Sequence, residues 1–145
     1  MGLSRRHLDT NSEPVRFSID ELAHGLREKL PFVTFACLLG SAAGSGVVKP
    51  HSDLDIAVYL SEKTSLPVYS AVEDVCMEYV AGVRCDTGIL NNAEPVYRFE
   101  AIKGRLVFTR DMEAWLRFYS LTCREYETQM FHYEKQLRYR LESVR

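Results

Sequence analysis

Two stretches that read as strands carry polar residues at opposite ends, and this pairing constrains the chain more than any other feature. Phe32 to Leu39 is an almost unbroken apolar run that stops at Gly40-Ser41, and Ile56 to Leu60 is a second run opened by Asp53-Leu54-Asp55. Apolar runs of this length bounded by turn residues fit strands buried on both faces. Aspartate is disfavoured in strands, so two of them opening one need a reason. Strand residues two apart point the same way, which puts Asp53 and Asp55 side by side. Like charges at that spacing raise each other's pKa unless water or a cation separates them. One reading is a solvated acid pair at a strand entrance. The other is a set of oxygen ligands for Mg²⁺ or Mn²⁺. Gly40-Ser41 favours the second, because small residues at a strand exit let backbone N–H groups approach an anion. A phosphate cradle followed one strand later by a metal-binding pair is the minimum equipment for attack on a metal-bound nucleoside triphosphate. The P-loop pattern is absent.

The remaining composition narrows the field. At 145 residues one domain, with a core large enough to fold without staples, is expected. A net charge of −2 argues against direct nucleic-acid binding, which calls for a basic face, yet leaves room for a nucleotide. Cys37, Cys76, Cys85 and Cys123 form no C-x-x-C and sit in apolar stretches, so they read as reduced core residues. The four histidines share no ligand spacing, which argues against zinc. No segment is long enough to cross a membrane, and a cytoplasmic location is expected.

Along the chain, residues 1–17 are polar and unpatterned and read as a flexible arm. Ser18-Ile19-Asp20-Glu21 is a capping box for a helix running to Lys29, stopped by Pro31. After the two strands, Ser65-Leu66-Pro67 starts a helix whose Val68, Ala71, Val72, Val75, Cys76 and Tyr79 form one apolar stripe, ended by Gly82. A strand over 83–90 follows, then a helix over about 94–102 and a short strand from Arg105 to Thr109. From Asp111 to Arg145 there is neither glycine nor proline. Met112, Leu116, Tyr119, Cys123, Tyr126, Met130, Tyr133 and Leu137 alternate spacings of four and three, which is a heptad seam. Such a helix outreaches a domain of this size. Part of the seam is expected to cover the sheet, and the rest either to bend back onto the domain's own core or to meet another protein or a second copy. The division is thus an arm (1–17), a core domain (18–110) and a C-terminal helix (111–145).

At Gly40-Ser41 and Asp53-Leu54-Asp55 the chain resembles the DNA polymerase β-like nucleotidyltransferase superfamily, whose signature is a strand-end Gly-Ser followed by Asp-x-Asp. Eleven residues separate Ser41 from Asp53, one more than is commonest in its small members. The short length and the text from Cys85-Asp86-Thr87-Gly88 to Gly104-Arg105-Leu106-Val107-Phe108 look like the minimal nucleotidyltransferases, antitoxin partners of HEPN toxins. The resemblance spans residues 18–140. It implies an α+β (two-layer α/β) fold, a small mixed β-sheet with helices packed on it and a long C-terminal helix.

The resemblance also implies chemistry. Asp53 and Asp55, with a third carboxylate from a neighbouring strand, would bind a pair of Mg²⁺ ions (or Mn²⁺). Asp86 is the only acid inside the next strand candidate and takes that third place, positioning or deprotonating the attacking hydroxyl. Gly40 and Ser41 would hold the ATP phosphates, with Lys49 and Ser52 as further nucleotide-binding candidates. The arginines that small members often place after Gly-Ser are replaced here by Ala42-Ala43-Gly44-Ser45. The implied reaction moves AMP from ATP to a hydroxyl of a cognate HEPN toxin, with tyrosine as acceptor, releasing pyrophosphate; a homodimer within a hetero-oligomer is compatible with it. Two alternatives stand beside it: a purely steric antitoxin with a vestigial site, and a small-molecule or tRNA nucleotidyltransferase.

Overall fold

The computed structural model describes residues 11–62 and 67–143. In chain order the elements are β1 (Val15–Arg16), α1 (Ile19–Lys29), β2 (Val33–Leu39), α2 (Ala42–Ser45), β3 (Val47–Val48), β4 (Leu54–Leu60), α3 (Val68–Tyr79), β5 (Cys85–Ile89), α4 (Pro95–Lys103), β6 (Arg105–Thr109) and α5 (Met112–Ser143). The residues expected to start α3, Ser65 and Leu66, lie outside the described residues.

A mixed four-stranded sheet in the order β5-β4-β2-β6 organises the chain. β2 runs antiparallel to both β4 and β6, whereas β4 and β5 are parallel. Helices cover both faces. Leu22 and Leu26 of α1 and Val72, Val75 and Cys76 of α3 pack with Val33, Ala36, Leu38, Ile56 and Val58 on one side. Ala101 of α4 and Trp115 and Phe118 of α5 pack with Phe35, Cys37 and Ala57 on the other. This double cover explains why β2 is apolar at successive positions instead of alternating. All four cysteines are free, and Cys37, Cys76 and Cys85 are buried.

Local chemistry sets the element ends. The Ser18 hydroxyl accepts from the Glu21 backbone N–H at 3.2 Å and caps α1. At the other end of α1, Arg110 donates to the Leu30 carbonyl at 3.1 Å and to the Arg27 carbonyl, satisfying acceptors that a helix terminus leaves open. The arm expected over 1–17 is tied down from Asn11 onward. Val15 and Arg16 pair with Val48 and Val47, and the Asn11 side-chain amide donates to the carbonyls of Glu13 and Lys49, both at 2.9 Å. Residues 1–10 lie outside the described residues.

The phase of α5 corrects the sequence reading. Its core-facing row is Trp115, Phe118 and Thr122, not the heptad seam. Each of these directly precedes a seam residue, a rotation of about 100° around the helix. Met112, Leu116 and Tyr119 therefore face solvent, and α5 continues as one helix to Ser143 with residues 131–143 exposed.

Candidate active site

Parallel pairing of β4 with β5 builds the site. Leu54 pairs with Cys85 and Asp55 with Asp86, with the Leu54 N–H donating to the Arg84 carbonyl at 2.8 Å. Residues opposite one another in adjacent strands share a face, so the Asp55 and Asp86 carboxylates are lateral neighbours. On its other side Asp55 pairs with Leu39, the last residue of β2. The chain then turns through Gly40, whose φ of +71° suits glycine. The Gly40 Cα lies so close to Asp55 that a Cβ there would sit 3.3 Å from its Oδ2. The Gly-Ser turn and the acids, separate in sequence, thus meet at one end of the sheet.

Electrostatics mark the same spot. The Asp55 carboxyl is held above its ordinary value by burial first, then by the charges of Asp86 and Asp53. Asp53 has found partial relief, since Arg84 Nε lies 3.9 Å from its Oδ2. Both groups are substantially exposed, so that pair contributes little to stability. Asp86 is exposed at the sheet's edge strand. Asp53, Asp55 and Asp86 are oxygen donors of the type that Mg²⁺ or Mn²⁺ takes, with one guanidinium nearby. Among the described residues no three acid, histidine or cysteine side chains are already drawn together around a common point.

The phosphate side is less complete. Ser41 precedes the short helix α2, is exposed, and its hydroxyl caps nothing there; its carbonyl accepts from the Ser45 hydroxyl at 3.2 Å. Ser52 is half-buried, and its N–H donates to the Lys49 carbonyl at 3.1 Å. Lys49 is exposed after β3, and among the described residues it forms no ion pair with any acid. Its carbonyl accepts from Asn11, which anchors the loop leading to Asp53.

Two participants escaped the sequence reading. Arg84 faces Asp53 from the residue that precedes β5. Tyr97 of α4 lies over Gly88, whose Cβ, if present, would fall 1.9 Å from the phenol oxygen. Burial, and then the charges of Asp86 and Asp55, push the Tyr97 phenol up to about 12. It is a neutral hydroxyl bordering the acids from the inner side. The signal in sequence was Gly88, two residues after Asp86 on the same strand face, where a missing side chain leaves room for another group. Arg98 fixes α4 by donating to the Leu90 carbonyl at 3.1 Å and to the Asn91 carbonyl, and by pairing with Glu125 at 3.5 Å. A separate groove of about 610 Å³ between the start of α4 and α5 has none of Asp53, Asp55 and Asp86 in its lining.

Comparison with known proteins agrees with this geometry. Residues 21–113 match the family described as Polymerase beta, Nucleotidyltransferase. No curated protein matches the chain. Among solved structures, it is similar to a chain of the tri-AMPylated Shewanella oneidensis HEPN toxin in complex with MNT antitoxin, at 15% identity and a TM-score of 0.59, covering 96% of this chain and 98% of that one. A toxin–antitoxin structure with AMP-PNP gives 17% identity and a TM-score of 0.63 over 88% and 98%. The toxin–antitoxin MntA–HepT gives 16% and 0.59 over 87% and 95%. At such identities these neighbours speak to the fold. The family match covers well over half of the chain, from α1 across the Gly-Ser turn and all three acids to the start of α5, and the chain belongs to the polymerase beta nucleotidyltransferase family.

Proposed function

We propose that this chain is an antitoxin that transfers AMP from ATP to a hydroxyl, with tyrosine as the acceptor, of a cognate HEPN ribonuclease toxin. The observation that carries this reading is the lateral register of Asp55 with Asp86, beside Gly40 and two residues from Asp53. Family membership supports nucleotidyl transfer. The AMP-PNP of one structural neighbour and the tri-AMPylated toxin of another support the donor and acceptor.

In this reading Gly40 and Ser41 receive the terminal phosphates through backbone N–H groups and the free hydroxyl. A divalent cation held by Asp53, Asp55 and Asp86 would supply the positive charge that the triphosphate requires. Asp86, exposed on the edge strand, faces the incoming acceptor and takes its hydroxyl proton. The acceptor oxygen bonds to the α-phosphorus as the bridge to the β-phosphate breaks, and pyrophosphate leaves. Tyr97, neutral at working pH, lines the site without competing for the proton.

The second reading, steric neutralisation by an inactive site, is favoured by one observation: Arg84 already leans on Asp53 where a cation would be needed. Incubating the chain and its HEPN partner with ATP labelled at the α- or γ-phosphate separates the two. Transfer of the α-label alone, lost by about 100-fold or more in Asp55→Asn, is expected for the enzyme. Neutralisation without label in the toxin overturns it in favour of the steric reading.

A further inference from the structure

Nine of the twelve exposed large hydrophobic side chains among the described residues lie on α5, the others being Tyr69, Met77 and Val96. The apolar surface of this chain is therefore concentrated on one helix. Phe131 is 64% exposed, Tyr133 56% and Leu141 70%, where the helix has passed beyond its own domain. Monomers seldom leave such a surface uncovered. Because Trp115, Phe118 and Thr122 take the core-facing row, the heptad seam is exposed at Met112, Leu116 and Tyr119 and again at Tyr133 and Leu137, while Cys123, Tyr126 and Met130 between them are half-buried and Tyr126 stacks on Phe99 of α4. A spacing of three and four residues matches the knobs and holes of another helix crossing at a shallow angle.

The rows beside the seam decide what that helix is. Glu127 and Glu134 each follow a seam residue, Tyr126 and Tyr133, and neither holds an ion pair among the described residues. The row on the other side carries Gln129 and Gln136, which are uncharged. In an antiparallel pair of identical helices, like rows face each other, so the glutamates would meet glutamates. In a parallel pair the glutamate row would face the row of Thr122 and Gln129, which offers no positive charge and is buried under the domain at Thr122. A second copy therefore leaves Glu127 and Glu134 uncompensated in either direction.

We propose that the α5 seam docks a helix of a different protein, whose own apolar seam is flanked by lysine or arginine on the side that meets Glu127 and Glu134. The surface stands independently of nucleotidyl transfer, since none of these residues belongs to the site of Asp53, Asp55 and Asp86.

The test uses the full chain and two synthetic amphipathic helices of about four heptads, with leucine at the seam positions and either lysine or glutamate on the flanks. Sedimentation of the chain alone is expected to give a monomer at low micromolar concentration. The lysine-flanked peptide is expected to bind at least about tenfold more tightly than the glutamate-flanked one. Glu127→Lys with Glu134→Lys is expected to reverse that preference, and Tyr133→Lys with Leu137→Lys to abolish binding of both. All four positions are exposed, so circular dichroism of each variant should match wild type. Equal binding of the two peptides, binding of neither, or a dimer of the chain alone that the seam variant dissociates would each overturn the proposal. Nucleotidyl transfer assayed on the same variants reports separately on the reaction.

Discussion

The Tyr97 hydroxyl fills the space that a side chain at Gly88 would occupy, so α4 and β5 are fitted to one another at the inner border of the acid cluster. The fit is tight enough that the ring itself is involved, with Cζ at 2.6 Å from the position of a Cβ. Gly88→Ala is expected to cost about 1–3 kcal/mol, because the ring is part of a helix held by Arg98 and has little freedom to withdraw. A denaturation cycle with Tyr97→Ala checks the cause. The cost of Gly88→Ala should largely vanish once the ring is gone, a coupling of about 0.5–3 kcal/mol. Additive costs would place the strain elsewhere.

Asp55 predicts a pH signature. Its folded-state pKa is raised, so it favours folding while protonated, below its unfolded value of about 4. That contribution is lost as pH rises through the folded value, and the ionised carboxylate then works against the ion-free fold. Asp55→Asn should melt higher than wild type near neutral pH, with the gap closing as the pH falls toward about 4. Thermal scans across that range measure it, and a gap independent of pH would contradict the cause. Added Mg²⁺ should raise the melting temperature of wild type more than that of the variant.

Arg84 lies beside Asp53, where it would compete with a bound cation. Arg84→Gln removes that competition and one nearby positive charge, so Mg²⁺ should bind more tightly. The gain is bounded by the value of an exposed pair, up to about 1 kcal/mol or about fivefold. Calorimetric titration with Mg²⁺ reads it directly; weaker binding in the variant would mean that Arg84 organises Asp53 instead of occupying it.

Thr122 is fully buried on the core-facing row of α5, and its hydroxyl has no hydrogen-bond partner among the described residues. Thr122→Val keeps the shape and removes a desolvated polar group. It should stabilise the chain by about 1–2 kcal/mol in urea titrations. A loss of stability would mean that the hydroxyl is satisfied in solution.

These residues also mark what the sequence could and could not reveal. Strands β2 and β4 and helix α1 were legible because their signals are local: a capping box at Ser18 and a glycine at 40 that ends an apolar run. The register of Asp86 with Asp55 was not, because it depends on the parallel pairing of β4 with β5. The β1–β3 pair was not, since two strands of two residues carry no periodicity and depend on a contact between Val15 and Val48. The phase of α5 was misread because two apolar rows run along it and the core-facing one includes a threonine. The facing of Arg84 toward Asp53 and the seating of Tyr97 on Gly88 depend on how side chains from different segments converge, which spacing alone does not encode.

Asn11 has a reach that its position near the start of the sequence conceals. Its backbone carbonyl accepts from the His51 N–H at 2.7 Å while its side chain holds the Lys49 carbonyl, so both ends of the bend before Asp53 hang from one residue. His51 itself sits at a φ of +59°, a left-handed conformation that few side chains adopt unaided. Loss of the Asn11 side chain would therefore be felt at the mouth of β4.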